Sequence, residues 1–225
     1  MSVTTVGRVV SVRTGAVRQH DRPDWDKAAR RTWTTAFWKD AIAGPVRIGR
    51  LGLDGDKQAD TRVHGGPEQA VLMYAESNYA FWRSLAGLEG MGPGGFGENL
   101  TVSGIAETDV CVGDELEVGS ARLQISSPRG PCAAISRRWN AEWLLPRVRS
   151  ERRTGWYLRV LGEGEVKLGD ELHLVARAHP GWTVDRLLAL RFITPRPADA
   201  LAEAAALEAL APEWRERYAR LPLKD

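Results

Sequence analysis

The sequence predicts a mainly β protein: a β-barrel core with peripheral helices and a small C-terminal three-helix appendage. Three observations predict it. Short β-branched segments separated by glycine-containing turns fill the middle of the chain, one Gly-Asp-led strand unit occurs twice, and the composition turns to alanine and leucine after residue 178.

Four segments read as strands: VGRVVSV (6–12), PVRIGRLGL (45–53), QAVLMYA (69–75) and NLTVSGI (99–105). Each is short, rich in β-branched residues and bounded by turn signals. The repeated unit is VGDELEV (112–118) and LGDELHL (168–174). Period-two alternation places Val112, Leu116 and Val118 on one face, and Leu168, Leu172 and Leu174 on another. Two such units suit equivalent positions around a closed sheet, because closure removes exposed edges. Between the strands, AESNYAFWRSLAGL (75–88) sets Tyr79, Trp82 and Leu85 at helical spacing behind Ser77 as an N-cap. Beyond ARAHPGW, the segments TVDRLLALRF, PADALAEAAALEAL and PEWRERYARL predict three helices. In the last, Pro212 suits the first turn, Glu213 the positive helix end, and Trp214, Tyr218 and Leu221 form a stripe. The expected division is a barrel domain over 1–178 and a helical appendage over 179–225, whose short helices must pack on one another or on a partner.

Bulk properties narrow the function. A chain of 225 residues, 43% hydrophobic and 27% charged, buries a sizeable core. A net charge of +2 gives no bulk support to nucleic-acid binding. The opening MSVTTVGRVV lacks the pattern of a signal peptide, and no stretch approaches the ~20 apolar residues of a membrane span. The expectation is a cytoplasmic protein without membrane or nucleic-acid partners, whose two cysteines, Cys111 and Cys132, are both free.

Four stretches carry candidate chemistry. GLDGDKQADTRVHGG (52–66) gathers Asp54, Asp56, Asp60 and His64, but the spacing fails a calcium loop and offers too few ligands for zinc. Its aspartates suit turn capping, and His64 suits either a local hydrogen bond or a site role. GPGGFGENL (92–100) lets backbone N–H groups form an anion nest and sets Asn99 beside it, without the spacing of a phosphate or dinucleotide motif. RRTGWYLRVL (152–161) pairs Arg153 and Arg159, which can clamp a phosphate, with Trp156 and Tyr157, which can wall a flat ring. The alternative there is an ordinary strand with solvated arginines. SSPRGPC (126–132) is the sharpest: Pro128 and Pro131 fix the backbone about Arg129 and Cys132, and a cationic neighbour favours the thiolate. A buried inert thiol and a Cys–His nucleophile are the alternatives, and no thiol-protease motif is present. Cys111, in DVCVGD, reads as structural.

Taken in order, GLDGDKQADTRVHGG, GGFGENLTVSG, VGDELEVG, SSPRGPC and RTGWYLRVL, followed by three short helices, resemble the MOSC domain proteins of the YiiM type from about residue 6 onward. TTAFWKDAIAGPV (34–46) is similar to the family's early lysine-containing segment and adds Lys39. The resemblance implies a MOSC-type β-barrel holding molybdenum cofactor, with Cys132 as the protein sulfur on the metal, a role suited to a soft thiolate. It places Lys39, Arg129, Arg153 and Arg159 as cations for the cofactor phosphate, and the loop at Gly97 as a source of N–H donors. His64, Glu98 and Asn99 become candidates for pterin contacts or proton delivery, with Cys132, His64 and Glu98 as the catalytic set. Gln69 departs from a basic residue common after HGG, and Gly130 occupies a variable position of the cysteine element. The implied activity is two-electron reduction of N-hydroxylated compounds such as N-hydroxylated purine bases, a detoxification. No Rossmann fingerprint, haem-attachment motif or iron–sulfur cysteine set is present in the sequence, so a separate electron-donor redox protein is expected, with the helical appendage as a docking surface. A cofactor or sulfur carrier using Cys132, and a binding module with an inert cysteine, are the other two readings.

Overall fold

The computed structural model describes residues 4–222. Strands β1 (Thr4–Thr14), β2 (Arg18–Asp21), β3 (Thr32–Thr35), β4 (Asp40–Ala41), β5 (Val46–Gly49), β6 (Gly52–Leu53) and β7 (Val71–Ala75) precede helix α1 (Asn78–Arg83). Then come β8 (Leu100–Ser103), β9 (Glu115–Val118), β10 (Ala121–Pro128), α2 (Ala134–Arg138), α3 (Leu144–Glu151), β11 (Trp156–Gly162), β12 (Gly164–Val166) and β13 (Glu171–Ala176). Helices α4 (Val184–Phe192), α5 (Ala198–Ala206) and α6 (Pro212–Ala219) finish the chain.

Seven strands hydrogen-bond in the order β13-β9-β10-β11-β7-β8-β1, and β1 pairs back to β13, so the sheet closes on itself. The barrel is mixed, since β7 runs parallel to β8 while the other neighbours are antiparallel. The twice-occurring unit forms two adjacent strands: β9 and β13 pair antiparallel, with Leu172 opposite Val118 and Leu174 opposite Leu116. Val112, Leu116, Val118 and Leu172 are buried as the alternation predicts. Leu168 is not, being 57% exposed, because it lies in the turn before β13 and outside the pleat. The predicted helix over 75–88 contracts to α1. Ser77 stands at its N-cap without a side-chain capping bond, and Ser84–Met91 continues as hydrogen-bonded turns.

Two cores position the site. One fills the barrel and runs without interruption into the C-terminal helices, joining Leu116, Leu158 and Leu172 to Leu187, Leu201 and Trp214. Each such fully buried aliphatic side chain stabilises the fold by about 1.5–3 kcal/mol. The other lies outside the barrel wall, where Tyr79 and Trp82 of α1 meet Phe96, Ile135 of α2, and Leu144 and Val148 of α3. Phe96 stacks on Tyr74 with ring centroids 4.4 Å apart. This second core holds both the glycine-rich loop and the helix that follows Cys132. No helix among the described residues is long and apolar enough to cross a membrane.

Candidate active site

Strand β10 ends at Pro128, but the Arg129 N–H still donates to Gly155 O at 3.0 Å, which extends the sheet into the cysteine element. The chain then turns through Gly130 and buried Pro131 to half-buried Cys132, whose carbonyl accepts the Ile135 N–H at 3.2 Å as α2 begins. Anchored by the strand on one side and by Ile135 on the other, the sulfur is held at the wall of a cavity of about 390 Å³. Lys39, His64, Gly97, Asn99 and Arg129 line the same cavity, with Phe37 and Tyr157 as apolar walls.

Arg129 is 3% exposed, and its guanidinium Nη2 donates to Phe96 O at 3.4 Å. Its Nη1 is buried with no hydrogen-bond partner. A buried charged donor left without an acceptor is costly unless a ligand supplies one. Lys39, by contrast, has its counter-ion: Nζ donates to Asp56 Oδ2 at 2.6 Å, and both side chains are buried. Burial lowers the Lys39 pKa and Asp56 opposes that shift. Asp56 also accepts the Gly15 N–H at 2.7 Å, so this aspartate is the buried anchor of the cavity wall and not only a turn cap. His64 stands exposed at the mouth; the protein crowding its ring, and next the Arg129 charge, lowers its pKa. The imidazole is therefore neutral at neutral pH and can accept a proton.

Asn99 lines the cavity, but its Oδ1 accepts from Leu72 N–H at 3.1 Å and its Nδ2 donates to Arg13 O at 3.3 Å. It clamps β7 to β1 more than it offers itself to a ligand. Gly97 adopts a φ of 73°, and a Cβ there would sit 2.9 Å from the Phe37 ring, so only glycine fits.

Three expected site residues are not brought to this cavity. Glu98 is fully buried inside its own loop and accepts from Tyr79 Oη at 2.5 Å, Gly94 N at 2.6 Å, Thr101 Oγ1 at 2.8 Å and Phe96 N at 3.1 Å. The anion nest expected in GGFGEN is thus filled by the carboxylate the loop itself carries, and its N–H groups do not face a ligand. Arg153 donates to Asn78 Oδ1 at 3.0 Å and stacks over Phe81 at 4.7 Å. Arg159 bonds Gln124 Oε1 at 2.8 Å, Ala209 O at 2.9 Å and the Glu68 carboxylate, tying the barrel to the helical unit. Of the aromatic pair on β11, Trp156 is buried in the barrel core and Tyr157 reaches the cavity. Cys111 is buried with its Sγ donating to Pro180 O at 3.5 Å; burial, then Asp114, pushes its thiol pKa up. It is a packing residue.

The sequence reading did not single out Phe37 or Arg137, which also line the cavity. Arg137 stacks 4.9 Å over the ring of Trp33, and its Nε donates to Asp26 at 2.6 Å. The only local signal was the density of aromatics and arginines, which marks a packed surface as readily as a site. Chemically, the cavity combines one half-buried thiol, one uncompensated guanidinium and one neutral imidazole. That set suits an anionic ligand carrying a sulfur-seeking metal.

Residues 60–173 match the MOSC domain family, and residues 182–219 match the YiiM-like, 3-alpha helix domain. YflK of Bacillus subtilis (strain 168) is 33% identical over 184 residues, covering 82% of this chain and 83% of YflK. A protein of Gibberella moniliformis (strain M3125 / FGSC 7600) named Reductase is 35% identical over 154 residues, which are 67% of this chain and only 27% of that protein. The crystal structure of YiiM from Geobacillus stearothermophilus superposes with a TM-score of 0.77 at 27% identity, covering 95% of this chain and 98% of the other. The closed seven-strand barrel and the C-terminal helices agree with these likenesses, and the chain belongs to the MOSC domain family, with a YiiM-like three-helix domain following the barrel.

Proposed function

We propose that this protein is a molybdenum-cofactor-dependent oxidoreductase that reduces N-hydroxylated compounds, N-hydroxylated purine bases among them, to amines. The observation that carries the reading is Arg129: a buried guanidinium with an unpartnered nitrogen lines the same cavity as the half-buried thiol of Cys132. A metal held by a phosphorylated pterin would meet both needs, since the metal takes a soft thiolate and the anion takes the guanidinium. The relative named Reductase supports the reaction class.

When bound, the cofactor supplies a two-electron centre for cleaving an N–O bond. Cys132 would hold the metal, with its direction fixed by Pro131 before it and α2 after it. Arg129 would hold anionic oxygen. The Lys39–Asp56 pair keeps the wall rigid, and removing one partner of such a buried pair costs about 3–5 kcal/mol. Phe37 and Tyr157 exclude water from the flat faces of a base. Breaking the N–O bond takes two electrons and two protons and releases amine and water; His64, neutral at rest, takes a proton from solvent on one ring nitrogen and passes one inward from the other, and the second proton comes from solvent. The electrons come from a separate redox protein.

Molybdenum content and pterin identity of protein purified from a cofactor-competent host test the reading. Equimolar molybdenum, lost in Cys132→Ser, and turnover of an N-hydroxylated base with an artificial electron donor are expected. Molybdenum without turnover on several such bases would reassign the protein as a cofactor carrier, and no molybdenum at all would remove the reading.

A further inference from the structure

A second cavity, of about 470 Å³, lies where the helical unit meets the barrel, and three of its walls are Arg149 of α3, Arg191 of α4 and Arg217 of α6. It adjoins the Cys132 cavity: Val63, His64, Gln69 and Tyr157 line both. Gly130 and Pro131 wall the second cavity while Cys132, the next residue, walls the first. A ligand reaching from one to the other passes His64.

The charges in the second cavity do not balance. Its one carboxylate, Glu213, bonds Arg217 at 2.5 Å, and that guanidinium also lies 5.1 Å from the Trp214 ring. Among the described residues Arg149 and Arg191 have no carboxylate partner, and Arg191 Nε is buried without any hydrogen-bond partner. Burial first, and next the Arg217 charge, works against the charged form of Arg191. Three cations from three helices converge on one space although self-repulsion opposes it, which is the arrangement an anion relieves. Two uncompensated guanidinium groups match the charge of a phosphate monoester, about −1.5 to −2 at neutral pH, and their forked donors match its oxygens.

We propose that Arg149, Arg191 and Arg217 form a subsite for the phosphate monoester of a ligand whose other end occupies the Cys132 cavity, the favoured ligand being a nucleotide 5′-monophosphate bearing the N-hydroxylated base. The identity of the base rests on the function proposed above; the phosphate subsite does not. In the function proposed above Arg129 serves the anion inside the first cavity, which favours a phosphate arriving with the substrate as the occupant of the second cluster. The terminal phosphate of the pterin is the other source of the same chemistry.

Calorimetric titration of the full chain with adenosine 5′-monophosphate and with adenosine separates the cases, and this arm does not require molybdenum. The monophosphate is expected to bind at least tenfold more tightly than the nucleoside, and Arg191→Gln is expected to erase most of that advantage. Arg149→Gln, on an exposed side chain that makes no hydrogen bond within the described structure, is expected to do the same with an unchanged circular dichroism spectrum. Molybdenum content unchanged in both variants assigns the phosphate to the substrate. If nucleotide and nucleoside bind alike, but the two variants lose molybdenum while remaining folded, the subsite stands and its phosphate is that of the cofactor. Equal binding of the two probes with unchanged molybdenum in both variants overturns the proposal.

Discussion

Gly155 sits at φ 77°, its N–H donates to the buried Glu107 Oε1 at 2.8 Å, and a Cβ built on it would stand 2.5 Å from the Met73 carbonyl oxygen. The same residue's carbonyl accepts the Arg129 N–H. Gly155→Ala therefore forces a left-handed conformation on an L side chain and presses it into β7. A loss of about 1–3 kcal/mol in denaturant unfolding is expected from the backbone alone. Single residues of this kind also mark what could be read in advance. That Cys132, Arg129 and Lys39 belong together was legible, because each stands in a proline-fixed or motif-borne stretch, and the three line one cavity. Glu98 was not, because what determines it is a ring of donors from Tyr79, Thr101 and its own loop, and no spacing rule announces a loop that binds its own carboxylate. Arg153 and Arg159 look free in sequence; Asn78 and Glu68, far away along the chain, take them.

Among the elements, the segment between β2 and β3 is fastened to the site by one carboxylate. Asp26 Oδ2 accepts from Arg22 Nη1 and Arg137 Nε, each at 2.6 Å, and these donors, Arg137 foremost, hold its pKa at about 2, below the ordinary 3.8. A depressed folded-state pKa means that the unfolded chain binds more protons as pH falls. The stabilisation is complete above 3.8 and disappears as pH drops through 2. Asp26→Asn is expected to unfold more readily at neutral pH and to show a shallower loss of stability across that acid window, as followed by thermal melting at stepped pH. The β2–β3 hairpin itself escaped the sequence reading, since RQHD and TWTT are four residues each and show no apolar alternation. Helix α2, at five residues, is shorter than the window in which helical periodicity can be recognised. By contrast the twin Gly-Asp units were readable, and what sequence could not supply was that they lie side by side.

On the scale of the whole molecule, barrel and helices share one core, and the attachment is polar as well as apolar. The Ala211 N–H donates to Ser126 O at 2.8 Å, and Arg159 Nη2 of β11 donates to the Ala209 carbonyl at 2.9 Å. Far-ultraviolet circular dichroism and tryptophan fluorescence are therefore expected to report coincident unfolding transitions, and Trp214→Ala is expected to lower both together by about 3–5 kcal/mol. Separate transitions would mean that the helices unfold on their own. The ring of strands also closes late. Thr5 of β1 lies opposite His173 of β13, so the earliest strand of the barrel to be synthesised finds one of its two neighbours in the closed ring only after nearly the whole barrel has been made. Until then β1 has an open hydrogen-bonding edge, and its pairing is among the most distant in sequence, the kind that slows folding. During translation, then, the hazard for this protein is a first strand that pairs with another copy before its own last strand arrives.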